Sequence, residues 1–146
     1  MRIGNKIDGI KYKKRPGAYA IIERDEDDKI AIVTDNINVY FFLGGGVEEN
    51  ETKETALIRE VKEESGYSLK DIKLFDNVYS YCYSEANGYM DIDASIYIAK
   101  FDKKVAEPIE KDHKLMWVSP LDYKDKLYHE YQRYILNKYL DTKKGI

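Results

Sequence analysis

Gly45-Gly46-Val47-Glu48-Glu49-Asn50-Glu51, followed seven residues later by Arg59-Glu60-Val61-Lys62-Glu63-Glu64-Ser65-Gly66-Tyr67, is the densest polar stretch of this chain. Glu60, Glu63 and Glu64 stand at helical spacings of three and four, so they crowd on one helix surface. Like charges at those spacings destabilise a helix by roughly 0.2–0.5 kcal/mol per pair. The crowding therefore points to a neutralising cation, and the stretch is a candidate metal site. Thr52 is placed to cap the helix, Glu54 stands in its first turn, and Gly66 is a left-handed stop after Ser65. On the helical wheel Leu57, Ile58 and Val61 form an apolar stripe, with the carboxylates in the next sector beside Ala56. One edge of the helix is thus expected on a sheet, with the carboxylates lining the adjoining groove.

Working outward, residues 17–23 and 29–34 read as strands joined by a polar hairpin over the acidic residues 25–28. Residues 39–43 are a short apolar run that ends in three glycines, the pattern of a buried strand leaving into a tight loop. Residues 78–84 alternate, with Tyr79, Tyr81 and Tyr83 on one side, and Asn87-Gly88 is a hairpin signal answered by a strand over 91–99. A polar loop over 103–114 leads to a short strand at 115–118. Pro120 then precedes a terminal helix over 128–139, whose apolar side is Tyr131, Ile135 and Tyr139. The order of strands, helix, strands and helix predicts an α/β (α+β) fold, a mixed sheet flanked by helices.

The chain of 146 residues is read as one domain, 1–146, large enough for a core without disulfides. Its net charge of −3 offers no general attraction to nucleic acid or an anionic membrane. No run approaches the roughly 20 apolar residues that a membrane-spanning helix needs, and residues 1–8 lack the apolar segment of a signal peptide. The single cysteine, Cys82, fits a reducing interior, so the expected location is the cytoplasm. Tyrosine is over-represented, with 14 copies, and half-buried sheet positions suit most of them. The basic run at 11–15 is read as solvated, with Lys14 or Arg15 the residues that would line a phosphate-receiving mouth.

A P-loop would need Lys and then Ser or Thr after the glycines, where Val47-Glu48 stands instead. A dinucleotide fingerprint needs spaced glycines, and these are contiguous. The spacing of Gly45, Glu51, Arg59-Glu60-Val61, Glu63-Glu64 and Gly66-Tyr67 closely resembles the Nudix box, with every fixed position filled and Tyr67 where an aliphatic residue is usual. The resemblance implies an α/β/α sandwich around a central mixed sheet. It further implies hydrolysis of a nucleoside diphosphate linked to another moiety, with Mg²⁺ or Mn²⁺ as cofactor. By the same resemblance Glu60, Glu63 and Glu64 would ligate metal, and the carbonyl of Gly44 or Gly45 would complete the shell. Glu51 and Arg59 would hold loop and helix together beside the chemistry, and Gly66 would close the motif. The general base would be Glu63 or a residue of the loop before Trp117, which offers Glu107, Glu110, Asp112 and His113, with Glu110 preferred.

Substrate choice lies outside the box. Thr34-Asp35 and Gly46 stand where MutT-like triphosphate hydrolases often have basic residues, which argues against a close MutT-like assignment. Tyr83 follows Gly66 by 17 residues, a spacing found in some dinucleoside-polyphosphate hydrolases, and joins Arg15 as a candidate substrate contact. The partner expected is a small nucleotide-type diphosphate, and a homodimer is compatible with this reading. The alternative is a non-catalytic Nudix-fold module that binds nucleotide or protein. Such modules commonly lose box glutamates, and here all are present.

Overall fold

The computed structural model describes residues 1–35, 38–109 and 113–143. Ala18, Ala20, Ile21 and Ile22 are fully buried, so the strand that carries them, β2 (Lys13–Glu23), is the spine of the sheet. The small alanines alternate with Tyr19 and Ile21, which lets opposite faces of β2 receive different layers. The other strands are β1 (Arg2–Ile3), β3 (Ile30–Thr34), β4 (Tyr40–Phe41), β5 (Leu43–Gly46), β6 (Tyr67–Ser84), β7 (Gly88–Lys104) and β8 (Lys114–Val118). Three helices complete the fold: α1 (Lys53–Ser65), the single turn α2 (Pro120–Tyr123) and α3 (Glu130–Lys143). The sheet runs β1-β6-β7-β2-β3-β4, with β5 added to β2 and β8 to β3. It is mixed, because β1 pairs with β6 and β2 with β7 in parallel, while the other pairings are antiparallel.

Two apolar layers sandwich this sheet. On one side α1 brings Leu57 and Val61 onto Ala18, Ala20, Ile22 and Leu43. On the other α3 brings Tyr131, Ile135, Leu136 and Tyr139 onto Tyr19, Ile21, Ile92 and Ile96. The inward side of α3 is the one the spacing predicts. The α1 contact is narrower than the predicted stripe. Ala56, Leu57 and Val61 are fully buried, whereas Ile58, about 100° further round the helix, is 39% exposed.

Two other elements differ from the sequence expectation. The run at 39–43 is split into β4 and β5, and Gly44, Gly45 and Gly46 are strand residues paired with Tyr19, Ala18 and Gly17, not a loop. Strand β6 starts at Tyr67, well before the alternating segment, because three register shifts against β7 break the period there. Tyr79, Tyr81 and Tyr83 do share one side, but it is the outer one: Val78 and Ser80 face the core, and Tyr79 and Tyr83 remain exposed. No helix among the described residues is long and apolar enough to cross a membrane.

Candidate active site

The start and end of α1 are set locally. The Thr52 hydroxyl accepts from Thr55 N at 3.1 Å and the Thr55 hydroxyl accepts from Thr52 N at 2.9 Å, a reciprocal cap. Gly66 ends the helix at φ +81° and donates to Lys62 O. Between these stops the buried sector runs Leu57, Val61, Glu64 and Ser65, at steps of four, three and one. Glu64 is therefore carried into the interior by the same periodicity that buries Leu57. Its side chain is only 5% exposed, while Glu60 and Glu63, on the flank, keep 19% and 26%.

Strand β5 presses its glycines against this flank. An added Cβ at Gly45 would lie 2.5 Å from the Glu60 carboxyl carbon. Gly44 adopts φ +137°, outside the range comfortable for other residues, and its N–H donates to Glu64 Oε1 at 2.9 Å. Two carboxylates thus meet two consecutive glycines. The expected convergence of three carboxylates is only partial. Arg59 lies among them, donating to Glu60 at 2.9 Å and to Glu63 at 3.4 Å, so part of the charge crowding is relieved by the protein itself.

Arg59 also makes a two-pronged contact with Glu51, Nε to Oε2 at 2.7 Å and Nη2 to Oε1 at 3.0 Å, and donates to Gly46 O at 3.1 Å. The guanidinium, raised chiefly by Glu51, stays charged, and it holds Glu51 below the usual carboxylate range. Glu51 in turn accepts from Glu48 N at 2.8 Å. One side chain therefore ties the loop, β5 and α1 together.

Burial pushes the Glu64 carboxyl up to about 7, against the opposing pull of His113 and the Gly44 N–H. His113 Nδ1 stands 3.5 Å from Glu64 Oε2. Among the described residues no group of three acidic, histidine or cysteine side chains is arranged to hold an ion by itself. What is present is a pair of hard carboxylates, Glu60 and Glu64, against a backbone strand. This donor set suits Mg²⁺, which takes one or two carboxylates and keeps several waters.

The site opens on a cavity of about 520 Å³ lined by Gly44, Gly45, Glu64 and His113, and elsewhere by Arg15, Asp35, Phe41 and Tyr128. Of the candidate substrate contacts, Arg15 lines this cavity, over Gly46. Tyr83 does not; its ring packs on Tyr89, centroids 4.8 Å apart. Lys14 is exposed outside the lining. Glu107 pairs with Lys104 on the surface, and Glu110 and Asp112 lie outside the described residues. The sequence reading had no signal for Phe41, Tyr128, His129 and Gln132, which come from segments far apart in the chain. Gln132, fully buried, accepts from Phe42 N at 2.8 Å and so anchors the β4–β5 junction to α3.

Against known proteins, the NUDIX domain pattern matches residues 13–139. The MutT NUDIX hydrolase of Burkholderia pseudomallei is similar at 28% identity and TM-score 0.68, covering 86% of this chain and 97% of that one. A NUDIX hydrolase from Nitrosomonas europaea superposes at TM-score 0.74 with 19% identity, over 89% and 90% of the two chains. The E. coli dihydroneopterin triphosphate pyrophosphohydrolase shares the fold at TM-score 0.71 and 17% identity, over 90% and 98%. No curated protein matches the chain.

Proposed function

The chain belongs to the Nudix family of hydrolases, enzymes that act on phosphoric anhydrides, and from this premise we propose that it is a Mg²⁺- or Mn²⁺-dependent pyrophosphohydrolase of a nucleotide-type diphosphate. One observation carries the reading: Glu60 and the buried Glu64 meet Gly45 and Gly44 where a cavity opens. A structural helix has no use for a carboxylate buried at that cost.

Glu60 and Glu64 would hold the metal, with Gly44 or Gly45 supplying a carbonyl and Glu63 contributing through water or as a base. A divalent ion there would neutralise the pyrophosphate oxygens and acidify a water. Arg59 is a positioning residue. It keeps Glu60 and Glu63 in register with β5 through Glu51 and Gly46 O. Arg15 would receive a non-reacting phosphate at the cavity mouth. Glu110 remains the proposed loop base. The family match over most of the chain supports reading residues 1–146 as one catalytic domain.

Phosphate or nucleotide release is the test, over nucleoside triphosphates, nucleotide sugars and dinucleoside polyphosphates with Mg²⁺ or Mn²⁺. Turnover of at least one class is expected, and Glu63→Gln or Glu64→Gln should abolish it while leaving the circular dichroism spectrum unchanged. Near-normal rates in both variants would remove the carboxylates from the mechanism.

A further inference from the structure

The floor of the cavity is built from residues that the metal side does not use. Arg15, Gly17 and Tyr19 alternate along β2 and so share one face, and Gly44 and Gly46, paired with Tyr19 and Gly17, share it too. A Cβ at Gly17 would lie 2.8 Å from the Tyr19 ring, and one at Gly46 would lie 2.9 Å from the Arg15 guanidinium. The bare backbone therefore lets both long side chains lie along the sheet, with the Tyr19 hydroxyl toward Arg15. Both residues line the cavity.

A row of hydrogen bonds leads to this hydroxyl from behind. Gln132, fully buried, accepts from Phe42 N at 2.8 Å through Oε1 and donates from Nε2 to the Tyr131 hydroxyl at 3.3 Å. The amide oxygen must face an N–H, so the amide nitrogen is the atom that faces Tyr131. The Tyr131 hydroxyl in turn bonds to that of Tyr19, which Arg15 reaches from the other side. The two rings stand 6.0 Å apart, centroid to centroid, at 63°. Burial raises both hydroxyls above the ordinary tyrosine range, so both keep their hydrogens near pH 7.

The hydrogens of this row can be counted. A guanidinium and an amide nitrogen only donate, so the row has a donor at each end and two phenols between. One phenol hydrogen can bridge the two oxygens, and the other is surplus. Among the described residues the pair bonds only to each other, to Arg15 and to Gln132. A surplus hydrogen on Tyr131, which is fully buried, would be stranded at a cost of about 1–3 kcal/mol. On Tyr19 it reaches the cavity. The row therefore runs from Gln132 to Tyr131 to Tyr19, and each donation polarises the next. We propose that Tyr19 is a substrate-binding residue whose O–H donates, beside the Arg15 guanidinium, to an anionic oxygen of the diphosphate, with Gln132 and Tyr131 as the positioning residues that aim it. The inference rests on the nucleotide-type diphosphate reading above, which supplies the anion, and it names a second donor for that anion.

Calorimetric titration of inorganic pyrophosphate into the metal-free protein reads this site without turnover. The parent should bind it, and Tyr19→Phe, which removes only the hydroxyl, should bind it about tenfold more weakly, the loss expected of a hydrogen bond to a charged group. On a diphosphate that the enzyme hydrolyses, the same variant should raise KM by a similar factor and leave kcat within about twofold, a split that a merely structural hydroxyl would not produce. Gln132→Glu tests the aim. A carboxylate still accepts from Phe42 N but accepts from Tyr131 as well, which reverses the row. It should weaken pyrophosphate binding as much as Tyr19→Phe does and add nothing when the two are combined. A further loss in the double variant would be charge repulsion and would remove Gln132 from the row. Absence of binding by the parent protein, or equal binding by Tyr19→Phe, overturns the proposal. Should either variant not fold, the other decides. The two readings fail separately. Turnover that is indifferent to Tyr19→Phe removes only the hydroxyl site, and a hydroxyl-dependent pyrophosphate affinity with no metal-dependent turnover removes only the hydrolase.

Discussion

Glu64 is the residue on which the behaviour of the site with pH turns. Its carboxyl in the folded protein titrates at about 7, above the 4.5 of a free glutamate, because it is buried. The folded state therefore binds this proton more tightly than the unfolded state does. The resulting stabilisation is full below pH 4.5 and is lost as pH rises through 7, amounting to about 3 kcal/mol across that window in metal-free protein. Glu64→Gln keeps the shape and an acceptor for the Gly44 N–H, and removes the proton. Urea unfolding in EDTA should show the parent losing stability between pH 4.5 and pH 8 relative to the variant, which should be the more stable of the two at pH 8. Parallel pH profiles would mean that Glu64 ionises without cost. The burial itself could have been read from the sequence, since Glu64 follows Leu57 by seven residues and so lies on the same helical sector. The division of labour among the three glutamates could not, because Arg59 reaches Glu60 and Glu63 only once Glu51 and Gly46 have fixed its guanidinium.

At the scale of elements, α1 and β5 contribute in different ways, and two substitutions separate them. Thr52→Ala removes one half of a reciprocal cap and should cost about 1 kcal/mol, or some 2–4 °C in thermal midpoint, with turnover largely kept. Gly45→Ala should do the reverse. Its Cβ meets the Glu60 carboxyl at 2.5 Å, so turnover should fall by at least tenfold, with a smaller change in midpoint than a core truncation of about 2–5 kcal/mol would produce. An alanine variant with parental turnover would show that β5 need not press on Glu60. The helix and both its stops were legible because its caps and periodicity lie within a few residues of one another, although Ile58, on the expected apolar stripe, is exposed. Strand β5 was not, since three glycines read as a loop unless the register against Gly17–Ala20 is known. The first half of β6 escaped for the same reason, its alternation being broken by bulges that only pairing with β7 defines.

For the molecule as a whole, metal, proton and fold are linked. If Glu64 is a ligand, its proton must leave before Mg²⁺ binds, so affinity should fall about tenfold from pH 8 to pH 6, with proton release on binding. Calorimetry in buffers of different ionisation enthalpy would show that release, and an affinity flat across this range would exclude Glu64 from the metal's shell. Added Mg²⁺ should also raise the thermal midpoint more at pH 8 than at pH 6, since a ligand bound only by the folded state stabilises it by mass action.

What the sequence determined by itself is the helix that carries the three glutamates, its stops, the glycine pair beside it and thereby the family, because each of these is a pattern of short spacing that needs no distant partner. What only the tertiary structure decided is the cavity. Arg15, Asp35, Phe41 and Tyr128 are separated along the chain, and they come to one recess because β2 forks between β5 and β3 while α3 closes the space behind them. Local spacing carries no record of which strands become neighbours. The reaction was therefore legible in the chain, and the shape that receives the substrate was not.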